Sequence, residues 1–302
     1  MTDKATILFV DDEEAILRSL KMLFKSQYKV KTTTDGNEAI QIVQKEKVHV
    51  VVSDQRMPIM PGVEVLRSVK EASPNTMRLL LTGYSDWSAM VGSVNEGEVF
   101  RFINKPWLNE EIKTTIEQAV EIARNLEGIQ QKDEVKESDD RLGILVIDED
   151  QGTFDSVTEI VGEKFAIKWG KDIDEAFAIL SEDDKIAVVI SEVKIAGDDI
   201  TAPLKTLKEI YPNILTLVLT SFQDTQLLIE LINQGQIYRF MPKPILPKLV
   251  EMSVTAAVRH YRAMQKTPQL TKRYAVEKPQ DGEAKVSNKI LGYLQKIRQR
   301  IK

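Results

Sequence analysis

Short runs of four to six apolar residues recur along this chain, separated by longer stretches in which apolar positions fall every three or four residues. The first pattern marks strands buried on both faces, and the second marks helices that cover a sheet with one stripe. Over the first 125 residues, strands are predicted at Ile7–Val10, Lys29–Thr32, Val48–Ser53, Met77–Leu81 and Val99–Ile103. Between them Ile16, Leu20, Leu23 and Phe24 line one helical face, and Trp87, Met90, Val91 and Val94 line another. Strand and helix in alternation predict an α/β domain, a doubly wound (βα)5 parallel sheet of flavodoxin-like type.

The pattern then repeats. ATILFVDDEEAIL at residue 5 returns as LGILVIDEDQGTF at residue 142, VHVVVSDQRM as IAVVISEVKI, MRLLLTGYSD as ILTLVLTSFQD, and EVFRFINKPW as QIYRFMPKPI. The offset is 137 residues at the first pair and 138 at the other three, so a whole domain is duplicated. The expected organisation is a first domain over 1–125, a helical linker over 126–141, a second domain over 142–264 and a tail over 265–302. Ile112, Ile116, Val120 and Ile122 begin a helix that either continues through QQKDEVKESDDR as a semi-rigid spacer or gives way to a flexible charged linker.

Composition removes whole classes of chemistry. There is no cysteine, and His49 and His260 are the only histidines, which excludes disulfides, thiol nucleophiles, cysteine-ligated zinc and any three-histidine metal site. His49 opens a buried strand and reads as structural, and His260 has no kinase or nucleotide-binding segment beside it. The net charge of −5 divides into −12 over residues 1–264 (31 Lys+Arg against 43 Asp+Glu) and +7 over residues 265–302 (10 against 3). An acidic body makes nucleic acid an unlikely ligand, because phosphate contacts come from clustered Lys and Arg. The apolar runs are far shorter than the roughly 20 residues that span a bilayer, and the polar, acidic start is unlike a signal peptide. A soluble cytoplasmic protein without a transmembrane segment is expected. In the tail, Ile290, Leu294, Ile297 and Ile301 share one helical face beside Lys289, Lys296, Arg298 and Arg300. Such a helix suits an acidic partner, a short coil, an anionic membrane or, through its charge, nucleic acid.

The candidate chemistry lies where the apolar strands stop. Strand one runs into Asp11-Asp12, strand three into Asp54, strand four into Thr82 and strand five into Lys105-Pro106. Ligands of such sheets bind beyond the carboxyl ends of the strands. Three carboxylates brought together repel unless a cation joins them, and a hard divalent ion with oxygen ligands answers that need. Magnesium fits best, held by carboxylates such as Asp12 and Asp54 and by one backbone carbonyl, such as that of Arg56. A hydroxyl at Thr82 and an ammonium at Lys105 then suit an anion sharing the metal, which points to a phosphoryl group. Taken singly, each of these residues reads as a cap, a loop acid or a solvated lysine; the ordered set is what carries weight.

With DD, SDQRMPIMPG, LLLTGYSD and FRFINKPW in order, the sequence resembles the receiver (CheY-like) domain of bacterial two-component response regulators, over residues 5 to about 125 and again, less completely, over 142 to about 262. The resemblance implies that Asp54 accepts a phosphoryl group from a sensor histidine kinase or a histidine phosphotransfer protein. It implies that Asp11, Asp12, Asp54 and the Arg56 carbonyl hold one Mg2+ in the first domain. Thr82, Phe102 and Lys105 would bind the phosphoryl group and relay the switch to the face of the fourth helix, fifth strand and fifth helix, and Lys105-Pro106 would be cis. Arg56 and Tyr84 occupy positions that tune phosphoryl lifetime in the family, and their bulk points to slow autodephosphorylation. The second copy departs from the pattern: Glu192 replaces the acceptor aspartate and the acidic pair is Asp148-Glu149, while Thr220, Phe240 and Lys243-Pro244 remain. One added methylene moves the carboxylate enough to spoil in-line attack, so a degenerate pseudo-receiver is expected, with Glu192 pairing with Lys243. No GxxxxGK[ST], GGDEF, EAL or HD-GYP signature is present, so a non-enzymatic switch is expected, acting on a downstream protein and open to homodimer formation. The competing readings are a phosphoryl-relay intermediate or phosphate sink, and a regulator that binds nucleic acid or membrane through its tail.

Overall fold

The computed structural model describes residues 4–83, 91–92, 95, 98–127, 141–221, 225–235, 237–268 and 270. The expected helical stripe from Trp87 to Val94 lies mostly outside these residues, as do Tyr84, the connection over 128–140 and the amphipathic tail helix. The chain divides into two compact units, one made of 1–133 with 224–233, the other of 134–223 with 234–302.

In the first unit the elements run β1 (Thr6–Val10), α1 (Glu14–Phe24), β2 (Lys29–Thr33), α2 (Gly36–Lys45), β3 (Val50–Asp54), α3 (Gly62–Ala72), β4 (Met77–Thr82), β5 (Arg101–Asn104) and α4 (Asn109–Asn125). The strands form one parallel sheet in the order β2-β1-β3-β4-β5. β1, β3 and β4 are buried along their whole length, which is why their sequences are unbroken apolar runs. β2 lies at the sheet edge and keeps an exposed Lys29, consistent with its mixed composition. Leu17, Leu20 and Phe24 of α1, and Ile112, Ile116, Ala119, Val120 and Ala123 of α4, are buried at helical spacing.

Strand bounds fall within two residues of the sequence reading, and two strands start two residues later than expected, each for a local reason. β3 begins at Val50 rather than Val48, because the His49 ring takes up the Thr6 amide: Thr6 N–H donates to His49 Nδ1 at 3.0 Å, and His49 Nε2 faces Glu127 at 2.9 Å. β5 begins at Arg101 rather than Val99, because Glu98 turns the chain in a left-handed conformation (φ 46°). The fully buried Arg78 and the ammonium of Lys70, 2.9 Å from the Glu98 carboxylate, hold that turn.

The second unit contains β6 (Gly143–Ile147), α5 (Gln151–Val161), β7 (Ala166–Gly170), α6 (Ile173–Glu182), β8 (Ile186–Ser191), a two-stranded hairpin of β9 (Lys194–Ile195) and β10 (Asp198–Asp199), α7 (Thr201–Ile210), β11 (Leu215–Thr220), β12 (Arg239–Pro242) and α9 (Pro247–Lys266). The short helix α8 (Thr225–Glu230) precedes β12 in the chain. Its parallel sheet has the order β12-β11-β8-β6-β7, the same order as the first sheet in corresponding strands. The repeat in the sequence is therefore a repeat of topology. Among the described residues no helix is long and apolar enough to cross a membrane.

Lys208, in the last turn of α7, is almost wholly buried and donates from Nζ to the Ile214 carbonyl at 2.6 Å. Burial disfavours its charged form and lowers its pKa from the usual 10.5 to about 7. Below that value both folded and unfolded chains carry the proton, and the burial penalty is fully present. Between about 7 and 10.5 the unfolded chain holds a proton the folded one has lost, so stability rises with pH in that window. Thermal melts from pH 6 to 10.5 should show this rise in the wild type and a smaller rise in Lys208→Met; equal slopes would mean that Lys208 stays charged.

Candidate functional site

The alternation of apolar strand and polar end converges on one rim of the first sheet. Asp11 follows β1, Asp54 closes β3, Thr82 closes β4 and Lys105 follows β5. Because β1 and β3 are neighbours, the switch point of the strand order puts Asp11 and Asp54 side by side. Asp11 and Asp54 are buried and Asp12 is exposed, and each offers a carboxylate oxygen within 4.8 Å of the others. Among the described residues this is the group of three with metal-ligand spacing.

Lys105 reaches into the cluster, with Nζ 2.6 Å from Asp54 Oδ1 and 2.9 Å from Asp11 Oδ2. Its backbone N–H donates to the Thr82 carbonyl at 2.9 Å, and the Lys105–Pro106 bond is cis. Burial alone would lower the Lys105 pKa, but its hydrogen bonds to Asp54 and Asp11 outweigh burial and raise it. Burial pushes the Asp11 carboxyl up, opposed by Lys105 and by the Glu13 N–H, which donates to Asp11 Oδ1 at 2.9 Å. The Arg56 N–H donates to Asp54 Oδ2 at 2.9 Å and fixes that carboxylate's second oxygen. Thr82 is buried and donates its hydroxyl to the Gly83 carbonyl at 3.0 Å, and Phe102 is buried in β5. An oxygen-rich, cation-seeking pocket beside one ammonium and one hydroxyl is what a divalent metal and a phosphoryl group require.

Sequence reasoning did not find Gly62. It opens α3 directly over β3, its N–H donates to the Gln55 carbonyl at 3.1 Å, and a Cβ there would overlap the Asp54 carbonyl. The glycine in MPIMPG thus lets a helix start against the Asp54 backbone.

The corresponding rim of the second unit carries Asp148 after β6, Glu192 after β8, Thr220 at the end of β11 and Lys243 after β12, with Lys243–Pro244 again cis. Lys243 Nζ lies 2.8 Å from Asp148 Oδ2 and 2.9 Å from Glu192 Oε2. Those two hydrogen bonds raise its pKa against the lowering effect of burial. The second oxygen of Glu192 accepts from the Val193 N–H at 2.8 Å. Glu149, the counterpart of Asp12, turns away and accepts the Ala196 N–H at 2.8 Å. That amide sits at the tip of the β9–β10 hairpin, where Ala196 and Gly197 are left-handed (φ 52° and 85°). Sequence reasoning missed this hairpin, which stands where the first unit has its MPIMPG segment; its signal is AGDD, a turn sequence between two short extended pairs. Phe240 is buried like Phe102, and the Trp169 indole N–H donates to the Asp148 carbonyl at 2.8 Å. Both histidines lie away from either rim: His49 bridges Thr6 and Glu127, and the His260 ring packs on Tyr238.

Residues 7–117 match the response regulator receiver domain family. The chain is 37% identical over 129 residues to the hydrogenase transcriptional regulatory protein HoxA of Cupriavidus necator, a match spanning 42% of this chain and 27% of that protein. It is 35% identical over 122 residues to the transcriptional regulatory protein FixJ of Rhizobium meliloti, spanning 40% of this chain and 59% of FixJ. A solved signal receiver domain of an HD domain-containing protein from Pseudomonas fluorescens Pf-5 is 33% identical, covering 41% of this chain and 92% of its own, with a TM-score of 0.40. Residues 7–117 are thus a receiver domain. It is homologous to the receiver domains of response regulators, HoxA and FixJ among them, and it spans about a quarter of the length of HoxA.

Replacing Gly62 by alanine should destabilise the protein by about 1–3 kcal/mol, because the new methyl must displace backbone rather than a side chain. Gly83→Ala, where a Cβ meets nothing within 4 Å, serves as the control. Urea denaturation of both variants measures the difference, and equal midpoints would show that α3 shifts freely over Asp54.

Proposed function

We propose that this protein is a phosphorylation-controlled response regulator in which Asp54 is the phosphoacceptor. The observation that supports it most directly is Lys105 bridging Asp54 and Asp11 beside Asp12, all at the carboxyl ends of neighbouring strands. In this reading an Asp54 carboxylate oxygen attacks the phosphorus of a phosphohistidine on a kinase or phosphotransfer protein. An acyl phosphate forms as the P–N bond breaks, and its electron pair leaves on the imidazole. Asp12, Asp11, Asp54 and the Arg56 carbonyl would hold Mg2+, which when bound neutralises charge on the phosphoryl oxygens. Lys105 binds a phosphoryl oxygen, and its loosened grip on Asp11 signals the change to β5. Thr82 reorients its hydroxyl from the Gly83 carbonyl towards the phosphoryl group, and the buried Phe102 follows.

The second unit is read as a pseudo-receiver. Glu192 stands one methylene longer where the first unit has Asp54, and Glu149 is committed to the hairpin amide. Output then passes through protein–protein contacts.

Incubation with a small phosphodonor such as acetyl phosphate and Mg2+ should place one phosphoryl group per chain, located by mass spectrometry of the borohydride-trapped peptide. Asp54→Asn should reduce incorporation to background, and Lys105→Ala should slow it by about 100-fold, the scale of losing one charge-stabilising donor. Beryllofluoride should bind once per chain, and Glu192→Gln should leave that stoichiometry unchanged. Labelling that persists in Asp54→Asn would overturn the acceptor assignment.

A further inference from the structure

The second unit carries a cleft of about 590 Å³ near the amino-terminal ends of β8 and β11, on the rim opposite Lys243. Its walls come from the end of α6 and the turn after it (Leu180 to Asp184), the loop from Tyr211 to Ile214, and the last turns of α9 at Tyr261 and Gln265. Three helices, α6, α7 and α9, therefore end at this cleft, and each presents the negative end of its macrodipole there. Helix ends of this kind ordinarily carry basic residues. α6 has none in its last turn, finishes in Glu182 and is followed directly by Asp183 and Asp184. Asp183 is paired with Lys168 at 2.6 Å, whereas among the described residues no basic side chain lies within ion-pair distance of Glu182 or Asp184. Burial first, and then Asp184, push the Tyr261 phenol pKa up, so the tyrosine stays protonated beside these carboxylates. α7 and α9 carry Lys208 and Lys266 in their last turns, so the cleft's negative charge centres on Glu182 and Asp184 at the end of α6, beside apolar and tyrosine walls, a setting that favours Lys and Arg side chains over any anion.

A basic segment is attached to its edge. Gln265 lines the cleft, α9 ends at Lys266, and Leu270 is buried. Residues 271–302 then supply nine Lys+Arg against three Asp+Glu. We propose that this cleft is the intramolecular receptor for the basic tail, which docks Lys and Arg side chains against Glu182 and Asp184 between Tyr211 and Tyr261. Tail docking withholds the positive segment from other acidic surfaces, and its release exposes it.

The test uses the full-length protein at low micromolar concentration. Carbodiimide coupling followed by mass spectrometry should join Glu182 or Asp184 to lysines of 271–302 within one chain, and 1 M NaCl should suppress the products. In Glu182→Gln/Asp184→Asn, trypsin should cut the tail about three- to tenfold faster than in wild type, the range two partly exposed charge pairs supply. The charge-matched Glu110→Gln/Glu111→Gln pair should leave the cutting rate unchanged. Equal tail cleavage in wild type and the cleft variant would overturn the proposal. So would cross-links that appear only between isotopically distinct chains, which would assign the cleft to the tail of a second copy.

Discussion

Two carboxylates on adjacent parallel strands cannot share a dry rim without a cation between them. In the first unit Lys105 supplies that cation, and much of the local architecture serves to deliver it. β5 must pair beside β4 in the register that sets Asn104 against Thr82, so that the next residue enters the cluster. The left-handed turn at Glu98, held by Arg78 and Lys70, fixes where that strand begins. Gly62 lets α3 close over the strand that presents Asp54. The ammonium is a provisional neutraliser in this arrangement, since a lysine on a flexible stem can transfer its hydrogen bonds where a packed core cannot.

The second unit meets the same electrostatic problem with its own lysine, Lys243. Glu192 reaches one methylene further than an aspartate would and pairs with Lys243, while its other oxygen is taken by Val193 N–H. Glu149 is withdrawn to the hairpin tip. Every oxygen of Glu192 has a partner within the protein, as both oxygens of Asp54 have in Lys105 and the Arg56 N–H. The two rims share topology, cis peptide bonds and the lysine, and they differ in the second acid of the pair: Asp12 stays beside the other two carboxylates, whereas Glu149 bonds to the hairpin amide.

Much of this was legible in the sequence because buried parallel strands write themselves as unbroken apolar runs, and because the polar residues that stop them are spaced alike in both copies. Asp11, Asp54, Thr82 and Lys105 stand at the ends of the strands expected to carry them. What escaped reading depends on tertiary approach. Gly62 looks like any turn glycine until the Asp54 carbonyl is seen beneath it, and β3 starts after His49 because the His49 ring captures the Thr6 amide. Lys208 sits in a helix whose pattern gives no sign that a lysine would be buried. The cleft below α6 is assembled from three helix ends far apart in the chain, so no local pattern announces it.

Each parallel sheet is built from one uninterrupted stretch of chain, Thr6 to Asn104 for the first and Gly143 to Pro242 for the second. Near-duplicate strands such as β1 and β6 are natural candidates for mispairing, since their apolar runs would fit either sheet. Contiguity separates them in time. During vectorial synthesis the first sheet has all five strands and its closing helix before β6 emerges, so the second copy meets a finished template with no vacant place for its strands.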